Sequence, residues 1–225
     1  MFVAGGDAGV LVFDIGDEMN PLFVGGLQVA DTVVAVDAGG DHADGGGVIY
    51  VAALKSGLLV VDVSVPGSIA LMGSYVAEDW IAGLVVVGDV VYAAGGTSGV
   101  HAVDVGDPMN PVGIGVLDTA GFVSDVVVED RVDGRVVYAA DFGSMLVVDV
   151  DEPAMMSVVG SVETPGQAQA MAVGRVGDGV DECPVVYVSD GGSGMQVVLV
   201  EDVESPVIAG EYGVGGVFDV AVGDG

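Results

Sequence analysis

Basic residues are almost missing from this chain. Lys55, Arg131, Arg135 and Arg175 stand against 34 acids in 225 residues, for a formal charge of −30. Phosphate backbones and anionic lipid surfaces are held by clustered Lys and Arg, so neither nucleic acid nor a membrane surface is expected as a partner. One cysteine, Cys183, leaves no internal disulfide. It lies beside Pro184 with no histidine near it in sequence, and reads as an incidental thiol rather than a nucleophile. Aromatics are scarce, at 6%, too few for the stacked platforms that sugar-cleaving sites use. Long apolar runs are missing too. The strongest, Trp80 to Gly96, is broken by Gly83, Gly88 and Asp89, and membrane insertion is not expected. Outer-membrane strands would be longer and would alternate apolar with polar residues, unlike the short Val-rich runs here. No charged and apolar leader opens the chain, because Met1 leads straight into strand-like residues. The sequence is read either as a monomer or as a domain of a larger chain.

What is present is repetition. Four tyrosine phrases recur: Val48-Ile49-Tyr50-Val51-Ala52, Val90-Val91-Tyr92-Ala93-Ala94, Val136-Val137-Tyr138-Ala139-Ala140 and Val185-Val186-Tyr187-Val188-Ser189. Phe2-Val3-Ala4 is the same phrase cut short, and successive anchors lie 48, 42, 46 and 49 residues apart. A second phrase follows each: Gly9–Ile15, Gly57–Val63, Gly99–Val105, Ser144–Val150 and Gly194–Val200. A period in the forties built from short Val-rich runs predicts an all-β fold, a β-propeller with one sheet per repeat. Five four-stranded blades are expected in one domain over 1–225, with repeats near 1–47, 48–89, 90–135, 136–184 and 185–225.

Each repeat offers four runs, a to d, with the tyrosine phrase as b and the second phrase as c. Gly-rich turns separate b from c, where positive φ costs glycine little. Proline-containing turns such as Gly16-Asp17-Glu18-Met19-Asn20-Pro21 separate c from d. The first repeat begins at b and lacks a. The run Gly216-Val217-Phe218-Asp219-Val220-Ala221-Val222 matches a, so the C-terminal strand is expected to complete the first blade and close the ring. The alternative is five blades cut from a larger propeller.

These phrases carry a resemblance. Gly57-Leu58-Leu59-Val60-Val61-Asp62-Val63 followed by Pro66, Asp104-Val105-Gly106-Asp107-Pro108-Met109-Asn110-Pro111-Val112, and Thr164-Pro165-Gly166 before run a resemble the LVIVD-repeat family of bacterial and archaeal β-propellers. The likeness covers essentially the whole chain. It departs in the fifth copy, where Leu199 replaces the recurrent Asp, and in the second, which lacks the double proline. The resemblance implies a propeller, often on cell-surface or secreted proteins, with no activity that the repeat itself defines.

Candidate sites follow from the loops. The aspartates ending run c, Asp14, Asp62, Asp104 and Asp149, look like a metal ring, but an Asp at a strand end more simply takes backbone N–H groups of the next turn. In the acidic a–b loop, Asp37, Asp41 and Asp44 are the metal candidates, with His42 between them. No cofactor is expected, and calcium is the one ion such Asp- and Gly-rich loops would suit, although no loop has calcium-loop spacing. In a propeller the b–c turns and d–a connections gather on one face, the default ligand site. Asp7, Glu78, Asp79, Trp80, Asp118 and Asp190 are the ligand-binding candidates there, beside Lys55, Phe142 and Gln167. Trp80 can stack on a sugar or a cation, or fill the gap between repeats.

Catalysis has little support. No G-x-S-x-G occurs, and no Gly-rich phosphate loop lies between a strand and a helix. The expectation is a non-catalytic surface or secreted module that binds protein or carbohydrate on the propeller face, or scaffolds neighbouring domains. The alternative is a carboxylate-based hydrolase or lyase, with calcium as its ion. A charge of this size repels itself unless salt screens it, which points to a high-salt habitat. Melting across a potassium chloride series separates that reading from a calcium-rich surface. Unchanged stability between dilute and molar salt would defeat the first, and stabilisation by millimolar calcium alone would favour the second.

Overall fold

The computed structural model describes residues 1–38, 47–177 and 182–223. Strands dominate because the Val-rich runs place β-branched side chains on a pleated surface. Strands β1 (Phe2–Ala4), β2 (Val10–Asp14) and β3 (Leu22–Leu27) form the first sheet in that order. The second sheet runs β4 (Val33–Asp37), β5 (Val48–Ala53), β6 (Gly57–Asp62), β7 (Ala70–Tyr75). The third orders β8 (Gly83–Val87), β9 (Val90–Ala94), β10 (Val100–Asp104) and β11 (Val112–Leu117) in the same way. The fourth holds β12 (Val123–Arg131), β13 (Gly134–Asp149) and β14 (Ser157–Ala168). The fifth is β15 (Ala170–Val176), β16 (Cys183–Ser189), β17 (Met195–Leu199) and β18 (Val207–Tyr212). Neighbouring strands are antiparallel, with Tyr50 opposite Val60 and Tyr187 opposite Val197. Among the described residues, helix is confined to the 3-10 turn Pro153–Met155.

The sheets thus hold three or four strands each. In the fourth, β13 carries both the Tyr138 phrase and all of the second phrase but its last residue, Val150, where two strands were expected. Phe142 pairs with Ala168, so the ladder continues through the segment read as a turn. In the first sheet the innermost strand expected from the C-terminal run is not among the ladders of the described residues. That run makes one bridge, Val217 to Gly191. The same bridge joins Gly6 to Val33 and Gly96 to Val123, so Val217 stands at the register where run a begins.

The chain divides into two compact units, Met1–Gly95 with His101–Ile114, and Gly96–Val100 with Gly115–Gly225. In the first, β5 splits its side chains between two cores. Ile49, Val51 and Ala53 join Val10, Val33 and Leu59, while Tyr50 and Ala52 join Ile81, Leu84 and Val91. A strand covered on both faces must be apolar at every position, which explains why these runs do not alternate. In the second unit, Tyr138, Met145, Met171, Val186 and Val198 form the core. Each such side chain contributes about 1.5–3 kcal/mol of burial.

Two small devices recur. A Cβ added to Gly25 or Gly73 in the first unit, or to Gly115 or Gly160 in the second, would run into a backbone carbonyl of the following proline turn: Pro66, Pro108, Pro153 and Val203, respectively. Glycine in the outer strand therefore seats the next repeat's turn. The second device is the Asp ending run c. Asp14, Asp62, Asp104 and Asp149 accept backbone N–H groups from Gly16, Ser64, Gly106 and Asp151 at 2.8–3.0 Å. These four are turn anchors rather than a metal ring. For Asp62, the Ser64 hydroxyl and N–H hold the carboxyl below its ordinary range.

Candidate functional site

The b–c turns and d–a connections are built from acids that serve the backbone. In the first unit the Asp7 carboxylate accepts the Thr32 hydroxyl at 2.7 Å, and the Asp7 carbonyl accepts the Gln28 amide. Asp7 and Thr32 border an open depression with Val29, Ala30 and Asp31. Asp31, which the sequence reading passed over, accepts the N–H groups of Thr32, Lys55 and Ser56 at 2.6–2.8 Å. Burial works against its ionised form, but these backbone donors prevail and hold its pKa below the ordinary value. Glu78 is exposed, Asp79 is half-buried, and Trp80 beside them is 42% exposed.

The second unit repeats the device with different residues. Asp141, buried at the end of the Tyr138 phrase, accepts the Thr119 hydroxyl at 3.0 Å and the Gly121 N–H at 3.2 Å. Asp118 precedes that threonine and is exposed. Asp190, fully buried, stands at the matching place in the fifth repeat and accepts the Gly166 N–H at 2.8 Å. The ligand candidates are thus divided between units, with Asp7, Glu78, Asp79 and Trp80 in the first and Asp118 and Asp190 in the second.

One turn residue breaks the pattern. Gly6, Gly96 and Gly191 follow the tyrosine phrases with φ of 60°, 59° and 53°, and Phe142 occupies the matching place at φ 55°. A left-handed backbone suits glycine and penalises a bulky side chain. Phe142 is only about half covered in return, being 48% exposed.

Of the metal candidates, Asp41 and Asp44 lie outside the described residues. Asp37 accepts the Val86 N–H at 2.9 Å. Among the described residues no group of three or more His, Cys, Asp or Glu could hold a metal ion.

Two clusters of the second unit escaped the sequence reading. Asp125, inside β12, accepts the N–H groups of Val126 at 2.9 Å and Met171 at 2.8 Å. Burial pushes its carboxyl up to about 7, the two N–H groups oppose this, and the charge of Asp219 adds to the rise. Asp125 and Asp219 lie two residues beyond Val123 and Val217, the bridged residues that open their runs. An acid at the same register position of two Val-rich runs was the available signal. The second cluster centres on Glu129, 7% exposed. It accepts the Tyr138 hydroxyl at 2.7 Å and the Arg131 guanidinium at 2.8 Å, with Arg175 at 3.6 Å. Arg131 donates onward to the carbonyls of Val200 and Glu201. Burial, followed by the Glu129 hydrogen bond and charge, pushes the Tyr138 phenol far above its ordinary range. Arg135 pairs with Asp130 at 2.5 Å, so three of the four basic residues are spent within one unit. Arg131 and Arg135 border a cavity of about 190 Å³ whose other lining residues include Asp149, Asp151 and Glu204. Its acids outnumber its arginines, which disfavours an anionic ligand.

The LVIVD repeat family matches residues 45–77 and 120–164, so the resemblance carried by the repeated phrases holds. No curated protein matches the chain in sequence. A structure of a protein from Lactobacillus plantarum is similar at a TM-score of 0.76 and 13% identity, over 97% of this chain and 69% of that one. Saccharomyces cerevisiae Sqt1 gives 0.68 and 11%, over 95% of this chain. The computationally designed Ika8 protein gives 0.63 and 13%, over 100% of this chain. This chain spans 58% of Sqt1's length and 61% of Ika8's. At these identities the likeness, which is to propeller-like structures, establishes the fold alone.

Proposed function

We propose that this chain is a non-catalytic β-propeller repeat module, of a cell-surface or secreted protein, which binds a partner through the turns around Phe142. The observation that carries this reading is Phe142 itself. Its left-handed backbone costs about 1–2 kcal/mol, and its ring is 48% exposed. A strained residue that leaves about half of its surface exposed is accounted for by a contact outside the chain. Asp118 adjoins Thr119, which is tied to Asp141 beside the ring, and Glu163 is exposed on the neighbouring β14. An aromatic ring among acids suits a protein segment with basic groups. The remaining turn acids favour the same reading, because those bound to backbone N–H groups are poorly placed to do acid–base chemistry.

Phe142→Gly tests this in one protein. Its unfolding free energy is expected to rise by about 1 kcal/mol, since glycine takes the left-handed region without strain. Peptides selected against the wild-type protein from a random library, in molar potassium chloride, are expected to lose at least roughly tenfold in affinity for the variant. A variant that is less stable and binds the same peptides unchanged would show the ring to be internal packing. A glycan array probed with both proteins reads out the carbohydrate alternative.

One observation favours the second reading, a carboxylate hydrolase or lyase. Asp125 is held near neutral pH with Asp219 close by, and perturbed carboxylates are what acid–base sites use. Adaptation to high salt, with calcium as its rival, is proposed from the charge of −30 and tested by the salt series already described.

A further inference from the structure

The turn of the fifth repeat is left incomplete where the turn of the fourth is closed. In the fourth, the Thr119-Ala120-Gly121 segment meets Asp141 through two bonds, hydroxyl to Oδ1 and N–H to Oδ2. In the fifth, Thr164-Pro165-Gly166 meets Asp190 through the Gly166 N–H on Oδ2 alone. Asp190 Oδ1, Thr164 Oγ1 and Gln196 Oε1 are each buried without a hydrogen-bond partner. Asp190 and Gln196 are 0% exposed and Thr164 is 8% exposed. A buried carboxylate oxygen left unmatched is costly, and a native fold supplies a partner for it.

The surroundings are tied together by hydrogen bonds and offer no cationic side chain among these contacts. The Asp190 N–H donates to the Gly194 carbonyl at 2.7 Å, and the Ser193 N–H donates to the Asp190 carbonyl at 3.0 Å. The Gln196 amide N–H donates to Asp190 Oδ2 at 3.3 Å and to the Ser193 carbonyl at 3.4 Å, which fixes its nitrogen on that side.

We propose that Asp190, with Thr164 and Gln196 as neutral oxygen donors, holds a monovalent alkali cation, sodium or potassium. One carboxylate among hydroxyl and amide oxygens matches a single positive charge. Calcium takes six to eight oxygens, commonly with several carboxylates, and the site offers one. A water molecule would satisfy Oδ1 as a donor but leave the buried charge unbalanced. The cation would lock the b–c turn of the fifth repeat to the segment before β15, the role that the direct Thr119 bond has in the fourth.

Thermal unfolding of the whole chain in equal molar concentrations of sodium, potassium and choline chloride tests the site. Ionic strength is constant, so general screening cancels. Because a bound ion stabilises only the folded state, the midpoint is expected to be several degrees higher in the alkali salts for the wild type. The difference is expected to vanish in Asp190→Asn and shrink in Thr164→Val. Equal midpoints in all three salts, or a difference that survives in Asp190→Asn, would overturn the proposal. Should Asp190→Asn fail to fold, sodium-23 line broadening by the wild-type protein decides. Broadening that falls in Thr164→Val, which keeps the surface charge, supports the site, and equal broadening in the two proteins or unbroadened lines refute it.

Discussion

Arg131→Met is expected to cost about 3–5 kcal/mol, the usual penalty for removing one partner of a buried ion pair. The substitution keeps the apolar stem and removes the guanidinium. Glu129 is then left 7% exposed with its charge facing only the Tyr138 hydroxyl and the more distant Arg175. The carbonyls of Val200 and Glu201 lose their donor at the same time. Against a typical total of about 5–15 kcal/mol, this is a large share. Denaturant unfolding in molar potassium chloride is the informative measurement, because salt screens an exposed pair and leaves a buried one largely intact. The Glu129→Gln, Arg131→Met double variant should be more stable than the sum of the two single losses implies, since it no longer buries an unmatched charge. A loss under about 1 kcal/mol for Arg131→Met would place this network among ordinary surface pairs.

The second large effect is tied to pH. Asp125 is raised from 3.8 to about 7 in the folded protein. A carboxyl raised in this way favours the folded state when protonated. Its contribution is fully present below the unfolded value, near 3.8, and is lost as pH climbs through 7. Asp125→Asn mimics the protonated form at every pH. The variant is therefore expected to exceed the wild type by about 2–3 kcal/mol at pH 8, after allowance for the one N–H bond that the Asn amide nitrogen cannot accept. Near pH 4 the order should reverse, with the variant about 1–2 kcal/mol less stable, because the lost bond remains and the cost of ionising a buried carboxyl has gone. Unfolding free energies at the two pH values give the comparison directly, and it is the difference between proteins that matters, because acidification also relieves the repulsion of 34 acids in both. A difference that does not change with pH would mean that the Asp125 carboxyl has the same pKa folded and unfolded.

The parts of the fold that sequence alone made legible are those governed by local chemistry. The tyrosine phrases became buried strands because an unbroken apolar run needs cover on both faces, and Tyr50, Tyr92 and Tyr138 are all nearly inaccessible. The Asp ending run c is legible because its partner lies two residues on, as in Asp14 with Gly16. Contacts between distant segments left no such trace. Gly160 looks like any strand glycine until the Val203 carbonyl is found against it. Asp125 looks like an ordinary polar position, because its second donor, Met171, is 46 residues away. In sequence Phe142 is a residue of the turn face, and its strain is visible only in the backbone angle. In sequence, Asp7 and Asp190 are acids in turns, which can meet ligands. Their hydrogen bonds to Thr32 and Gly166 give each a structural duty as well.

The reading as a binding module and the reading as a carboxylate enzyme part most sharply at Asp125, the carboxyl poised near neutral pH. Hydrolysis of a glycan and lactone panel, followed at high salt with wild type and Asp125→Asn side by side, puts them in direct opposition. For a binding module the two proteins should give the same rate on every substrate, indistinguishable from buffer. Robust turnover by the wild type that disappears in Asp125→Asn, while the variant stays folded, would contradict it.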